Sequence, residues 1–346
     1  MEKLKIALIG AGQIVWASHL PNYKKMEDEV EVIGICDVNL EQAKKTAEQF
    51  QIPEYFRTKE EMFEKISPDA VSICVPNRFH FETACYALKK GCHVLCEKPP
   101  ALTVAEAEEM HALAEKKGKL LTFNFHFRHG EDMQYLKRKI EKNDFGEIYA
   151  ARVQSIRRRG IPGWGNFINK DMQGGGALID IGIHMLDLAL YMMGFPEIDY
   201  VCATTHQKIG TRKGIGLMGQ WNPEKFTVED SAFGFIHLKN GASINLETAF
   251  ALNIKEKDIR NVNIFGEFAG ASLFPMEIYG ENELGLINET YPFEQETDRH
   301  YNSIANFVRA CLGKEELIVK SSEAVVVQRV VDGLYASAER GCPIFL

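Results

Sequence analysis

Short apolar runs alternate with stretches of helical period through the first 124 residues. Runs at 3–9, 30–36, 70–75, 93–96 and 120–124, with a shorter one at 54–56, predict strands. Between them, 13–27, 40–50, 59–66, 79–90 and 104–117 have helical character and predict helices. Short, continuously apolar strands separated by helices predict a parallel sheet covered on both faces. The pattern changes after residue 124. A helix over 131–141 leads into an alternating strand at 148–158. Further strands follow at 198–207, 230–238, 242–250, 258–265 and 269–274, with helices at 299–311 and 322–338. Asn240-Gly241 marks a tight hairpin. The second half therefore predicts an open, mostly antiparallel sheet, with loops at 166–173 and 209–227.

One helix breaks the usual rule of a polar outer face. Residues 174–191 (GGGALIDIGIHMLDLALY) are apolar nearly all the way round, which predicts burial. The stretch nevertheless carries Asp180, His184 and Asp187. Spacings of four and three gather them on one helical surface, and a buried ionisable group needs a partner or a task. An Asp–His pair on a rigid helix is a candidate base with its orienter. A core histidine held by two acids is the alternative, and the stretch alone leaves both open.

Composition narrows the partners. The chain has 346 residues, 45% hydrophobic and 25% charged, which suits a globular protein of two domains. Lys and Arg number 40 against 48 Asp and Glu, a net charge of −8. That disfavours nucleic acid or an anionic membrane as partner. No signal peptide is expected, and no window long and apolar enough to span a bilayer. The eight cysteines include no CxxC pair. Cys92 and Cys96 fall in a predicted buried strand, so reduced thiols in the cytoplasm are expected and a metal site is not. His126 and His129 with Asp180 lack the usual helical pairing of metal ligands and do not change that expectation.

Two motifs carry chemistry. Gly10-Ala11-Gly12 follows the first strand and precedes a helix, as in a dinucleotide turn whose amides cradle pyrophosphate. The third fingerprint position is Val15 rather than Gly or Ala. Asp37 ends the second strand, 25 residues past Gly12, at the spacing of a carboxylate that binds ribose hydroxyls. It would repel a 2′-phosphate, and neither Val38 nor Asn39 offers a cation, so NAD is favoured over NADP. Glu97-Lys98-Pro99-Pro100 follows the fifth strand, at the carboxyl edge where such sheets bind ligands.

Taken together, Gly10-Ala11-Gly12, Val75-Pro76-Asn77 with His80, CEKPP at 96–100 and GGGALIDIGIHMLD from 174 resemble the Gfo/Idh/MocA (glucose–fructose oxidoreductase/inositol dehydrogenase) family over essentially the whole chain. The resemblance implies an α/β protein: an N-terminal Rossmann domain over 1–124, then an α+β domain over 125–346 for substrate binding and oligomerisation, assembled as a homodimer or homotetramer. It implies an NAD-dependent oxidoreductase acting on a secondary alcohol of a sugar, polyol or cyclitol. Lys98, Asp180 and His184 would be the catalytic set. Gly10, Gly12, Gln13 and Ile14 would line the phosphates, and Asp37 the ribose. Pro76, Asn77, His80, Glu97 and Lys98 would edge the cofactor cleft. From their places in the chain, Asn124, Arg128, Arg157 and Trp164 are further candidates for the substrate pocket, beside Asp180 and His184. Relatives that keep NAD bound and cleave glycosides, and non-catalytic dinucleotide sensors, are the alternatives. An intact Lys98, Asp180 and His184 counts against a sensor.

Overall fold

The computed structural model describes residues 3–291 and 298–346. The chain groups into two compact units, one of residues 1–129 with 298–325 and one of 130–297 with 326–346. Residues 298–325 return to the first unit.

The first unit holds six parallel strands: β1 (Leu4–Ile9), β2 (Val30–Cys36), β3 (Tyr55–Phe56), β4 (Ala70–Ile73), β5 (His93–Cys96) and β6 (Leu121–Phe123). Their order is β3-β2-β1-β4-β5-β6, so the topology switches direction between β1 and β4, where a crevice forms at the strands' carboxyl ends. Every residue of β4 is buried, as a sheet covered on both faces requires. Helices α1 (Leu20–Lys24), α2 (Leu40–Phe50), α3 (Lys59–Lys65), α4 (His80–Lys89) and α5 (Val104–Lys117) connect the strands. Local chemistry sets their ends. Thr103 and Glu106 form a reciprocal capping box on α5, and Gly118 closes it in the left-handed region.

The expected helix over 13–27 is divided. Residues Val15–His19 form a widened π turn before α1 begins. Two residues account for it. Pro21 has no N–H to continue the ladder. Val15 is fully buried against Leu8, Ala11, Leu20 and Ile35, so a branched side chain fills the place where the fingerprint has Gly or Ala.

The second unit carries helices α6 (Glu131–Glu141), α7 (Lys170–Gln173) and α8 (Ile183–Met193) beside a nine-stranded sheet. Its strands are β7 (Ile148–Arg157), β8 (Ile198–His206), β9 (Ser231–Leu238), β10 (Ser243–Ala249), β11 (Asp258–Gly266), β12 (Ala269–Leu273), β13 (Met276–Asn282), β14 (Gly285–Thr290) and β15 (Ile344–Phe345). The order is β14-β13-β12-β11-β7-β10-β9-β8-β15. Pairing is antiparallel except between β7 and β10. Strands β13 to β15 go beyond the expected set. Leu284 and Leu286 in the β13–β14 hairpin are almost wholly exposed, so this edge carries little of the apolar alternation that marks a strand.

The segment Lys170–Met193 corrects one expectation. By length and composition it passes as a membrane span, but 72% of its apolar window is buried inside the fold. It contains the core helix of this unit.

Helix α9 (Arg299–Cys311) returns to the first unit and packs Ile304, Phe307 and Val308 against Leu4, Ile6 and Tyr23. Helix α10 (Ser321–Arg340) begins in the first unit and ends in the second.

Candidate active site

In the first unit, the turn after β1 is built around Gly10. Its φ of +103° favours glycine, and a Cβ there would stand 2.4 Å from the Cys74 carbonyl oxygen. The Ala11 amide donates to Asp37 Oδ2 and the Asn39 amide to Oδ1, each at 2.8 Å. Asp37 thus ties the end of β2 to the turn. Nothing lies within 4 Å of the place where a Gly12 Cβ would project. That open side gives a pyrophosphate room to meet the backbone, so these residues fit a dinucleotide. A cavity of about 410 Å³ adjoins them, lined by Gly12, Gln13, Trp16, Asp37, Gln42 and Lys45 among others.

Trp16, Gln42 and Lys45 were not foreseen. Trp16 donates its indole N–H to Thr46 at 3.0 Å, meets Phe50 edge-on at 5.3 Å, and carries the Lys45 ammonium 5.8 Å from its ring. Positions 42, 45, 46 and 50 share one face of α2, a spacing that could have pointed to them. The Ile14 side chain packs against the Leu8 and Val15 cluster.

At the carboxyl ends of β4 and β5, Pro76, Asn77 and Lys98 lie in the two loops expected to edge the cleft. His80 does not edge it. The ring is 1% exposed, with Nδ1 2.7 Å from the Pro99 carbonyl oxygen and Nε2 2.9 Å from that of Val75. His80 ties the two loops from inside. Burial lowers its pKa, against the pull of the two carbonyls.

Glu97 accepts from His19 Nε2 at 2.8 Å and Asn124 Nδ2 at 2.7 Å. Burial alone would raise its pKa; the His19 bond and charge, with the Asn124 bond, outweigh that and hold it at about 2. Asn124 is fully buried and also accepts from Ser303 Oγ at 2.9 Å. Its amide serves this network rather than a substrate. Arg128 is likewise corrected. It is fully buried, paired with Glu323 and directed at the Ile318 carbonyl, so it anchors the returning segment.

In the second unit, the glycine run opens the buried helix. A Cβ on Gly175 would stand 2.0 Å from the Tyr335 hydroxyl, and one on Gly176 2.1 Å from the Glu229 carbonyl oxygen. The Glu229 carboxylate accepts from the Gly176 amide at 2.8 Å, the Leu178 amide at 3.0 Å and the Tyr335 hydroxyl at 2.8 Å. This acid caps the helix start, where unpaired amides and the helix dipole favour an anion. Burial raises its pKa, and those bonds act against the rise. Neither Glu229 nor Tyr335 was foreseen.

Residues Leu178–Gly182 form a second π turn, which runs directly into α8. Such turns favour functional sites. Between positions 177 and 190 only Asp180 and His184 are partly exposed; every other residue, Asp187 included, is buried. Of the two acids near His184, Asp180 alone remains within reach of a ligand. Arg157, at the end of β7, feels the charge of Asp180. Trp164 is 43% exposed on the following loop, with its ring edge toward Phe167 at 6.4 Å.

A Gly10–Gly12 turn closed by Asp37 and an Asp180–His184 helix opened by glycines stand in the order of the two matching family domains. Residues 4–125 match the oxidoreductase family's NAD-binding Rossmann fold, and 137–346 match its C-terminal α/β domain. The chain belongs to the Gfo/Idh/MocA oxidoreductase family. Within it, the chain is 44% identical over 343 residues to D-glucoside 3-dehydrogenase of Escherichia coli K12, covering 99% of this chain and 97% of that protein. It is 29% identical over 250 residues to glucose-6-phosphate 3-dehydrogenase of Bacillus subtilis, covering 71% and 67%. The fold matches levoglucosan dehydrogenase in complex with NADH and levoglucosan, with a TM-score of 0.86 over 99% of both chains at 20% identity.

Proposed function

We propose that this Gfo/Idh/MocA oxidoreductase uses NAD to oxidise a secondary hydroxyl of a sugar, at the 3-position of a D-glucoside. The observation that carries the reading is the selective exposure of Asp180 and His184 on an otherwise buried stretch of helix. Burying the rest of the helix stabilises the fold, so the two polar openings are kept for chemistry. The 44% identity to a D-glucoside 3-dehydrogenase over nearly the whole chain supports the choice of sugar and carbon.

Bound NAD supplies the hydride acceptor, and the chain supplies position and electrostatics. Gly10, Gly12 and Gln13 would hold the phosphates and Asp37 the ribose. The His184 imidazole takes the hydroxyl proton. Asp180 orients that ring or stabilises its charged form, and Lys98 stabilises the developing alkoxide. Five buried free thiols support a cytoplasmic setting. Ring contacts of Tyr200 with Phe235, His237 and Phe345 give the sheet an aromatic patch suited to a homodimer or homotetramer.

Nicotinamide absorbance, followed with NAD and a panel of methyl glycosides, tests the reading. NADH should form with D-glucosides, and product analysis should place the ketone at C3. His184→Ala and Lys98→Ala should each lose at least a hundredfold in kcat while retaining NAD binding. No NADH with any sugar, despite bound NAD, would overturn it.

A further inference from the structure

One cavity of the second unit is unlike the rest of this acidic chain. It has a volume of about 310 Å³, and Arg157, Arg159, Lys257 and Arg260 line it against a single carboxylate, Asp258. The lining therefore carries three net positive charges in a protein of net charge −8. The strand register builds this concentration. Arg157 on β7 stands opposite Asp258 on β11, and Ser155 stands opposite Arg260. Arg157, Asp258 and Arg260 therefore project from the same face of the sheet.

Two of the cations are held by neutral oxygens. Arg157 Nη1 donates to the Gly160 carbonyl at 3.2 Å. The absence of a side chain at Gly160 makes this possible, because a Cβ there would stand 2.3 Å from Arg157 Cδ. Arg159 donates to the carbonyls of Arg158 and Leu252 and, at 2.5 Å, to the Asn253 amide oxygen. These bonds fix the guanidinium groups in place and leave their charge uncancelled by any carboxylate they bond. Arg157 also feels Asp180, which connects the cavity electrostatically to the helix that carries the proposed base. Planar, pre-positioned guanidinium groups suit carboxylate and phosphate oxygens.

We propose that this cavity is an anion subsite of the substrate cleft, and that the preferred substrate is a glucoside bearing a carboxylate or a phosphate. The proposal rests on the dehydrogenase reading and specifies its substrate class. The sugar ring presents its hydroxyl to the Asp180–His184 helix, while the anionic substituent occupies the cationic cavity.

The test compares kcat/KM for methyl glucoside, methyl glucuronide and methyl glucoside 6-phosphate, with calorimetric binding of the two anions alongside. The anionic glucosides should exceed the neutral one by at least tenfold, and added salt should shrink that margin. In a Lys257→Gln/Arg260→Gln double variant the ratio should fall toward one. Whichever anion is preferred identifies the group the cavity takes. Equal rates for all three sugars, or a preference unchanged in the double variant, would overturn the subsite and leave the dehydrogenase reading intact. If no sugar is oxidised, the dehydrogenase reading fails; calorimetry then decides the cavity's role, since absence of binding, or binding equal in the double variant, overturns it.

Discussion

The Glu229 carboxylate accepts the Gly176 amide at 2.8 Å, fixing the first turn of the helix that presents Asp180 and His184. The same carboxylate holds the Leu178 amide and the Tyr335 hydroxyl. Glu229→Ala would leave two amides and a hydroxyl without this acceptor in a buried place. A loss of about 3 kcal/mol in unfolding free energy is expected, from unsatisfied groups at roughly 1–3 kcal/mol each. Tyr335→Phe removes one donor and should lose about 1 kcal/mol. Urea unfolding measures both, and kcat should fall further than KM changes, because Asp180 sits one turn from the cap.

Gly176 and Gly12 should respond in opposite ways to the same substitution. Gly176→Ala drives a Cβ to 2.1 Å from the Glu229 carbonyl oxygen, and backbone atoms must move. Several kcal/mol of stability should be lost, on the scale of roughly 1–3 kcal/mol for overpacking plus the damaged cap. Gly12→Ala meets nothing within 4 Å, so the melting temperature should hold. Its methyl group occupies the space left for pyrophosphate, and the Kd for NADH should rise at least tenfold. A stable Gly12→Ala protein with unchanged NADH affinity would contradict the placement of the phosphates.

The contrast shows what was legible beforehand. Alternating strands and helices led to the parallel sheet, and the Gly10, Asp37, Asp180 and His184 positions could be read from spacing, because each belongs to a local motif. Glu229 and Tyr335 could not be read that way. Glu229 lies 51 residues beyond Leu178 and Tyr335 a further 106 beyond Glu229, and nothing near either residue announces it. Arg128 misled for the same reason. Its place after β6 suggested the cleft, but its partner Glu323 lies 195 residues on. Helix α9 has an ordinary amphipathic pattern, and only the complementary surface of Leu4, Ile6 and Tyr23 decides where it docks.

Glu97 should give the protein a measurable acid dependence. Its folded pKa of about 2 lies below the ordinary 4.5, so the unfolded chain binds the proton more readily. The contribution is fully present above pH 4.5 and is lost as the pH falls through that value toward 2. Its size is on the order of 3 kcal/mol, since each tenfold difference in proton affinity between the folded and unfolded chain is worth about 1.4 kcal/mol. Unfolding free energy measured by denaturant titration between pH 6 and 3 should decline in the native protein. Glu97→Gln should flatten that decline. Parallel curves for the two proteins would remove Glu97 from the account.

Cofactor choice should turn on Asp37 and Lys45. Asp37 is fixed by the amides of Ala11 and Asn39, which places its charge where a 2′-phosphate would have to sit. Lys45 lines the same cavity, with its ammonium near the Trp16 ring. The wild-type protein should therefore prefer NAD, through repulsion that outweighs one partly solvated cation. Asp37→Ser removes the repulsion, retains a small acceptor for the turn amides and leaves Lys45 to attract phosphate. The ratio of kcat/KM for NADP over NAD should rise at least tenfold, and Lys45→Gln in the same background should reverse most of the gain. If Asp37→Ser loses affinity for both cofactors equally, Asp37 serves the turn alone and discrimination resides elsewhere.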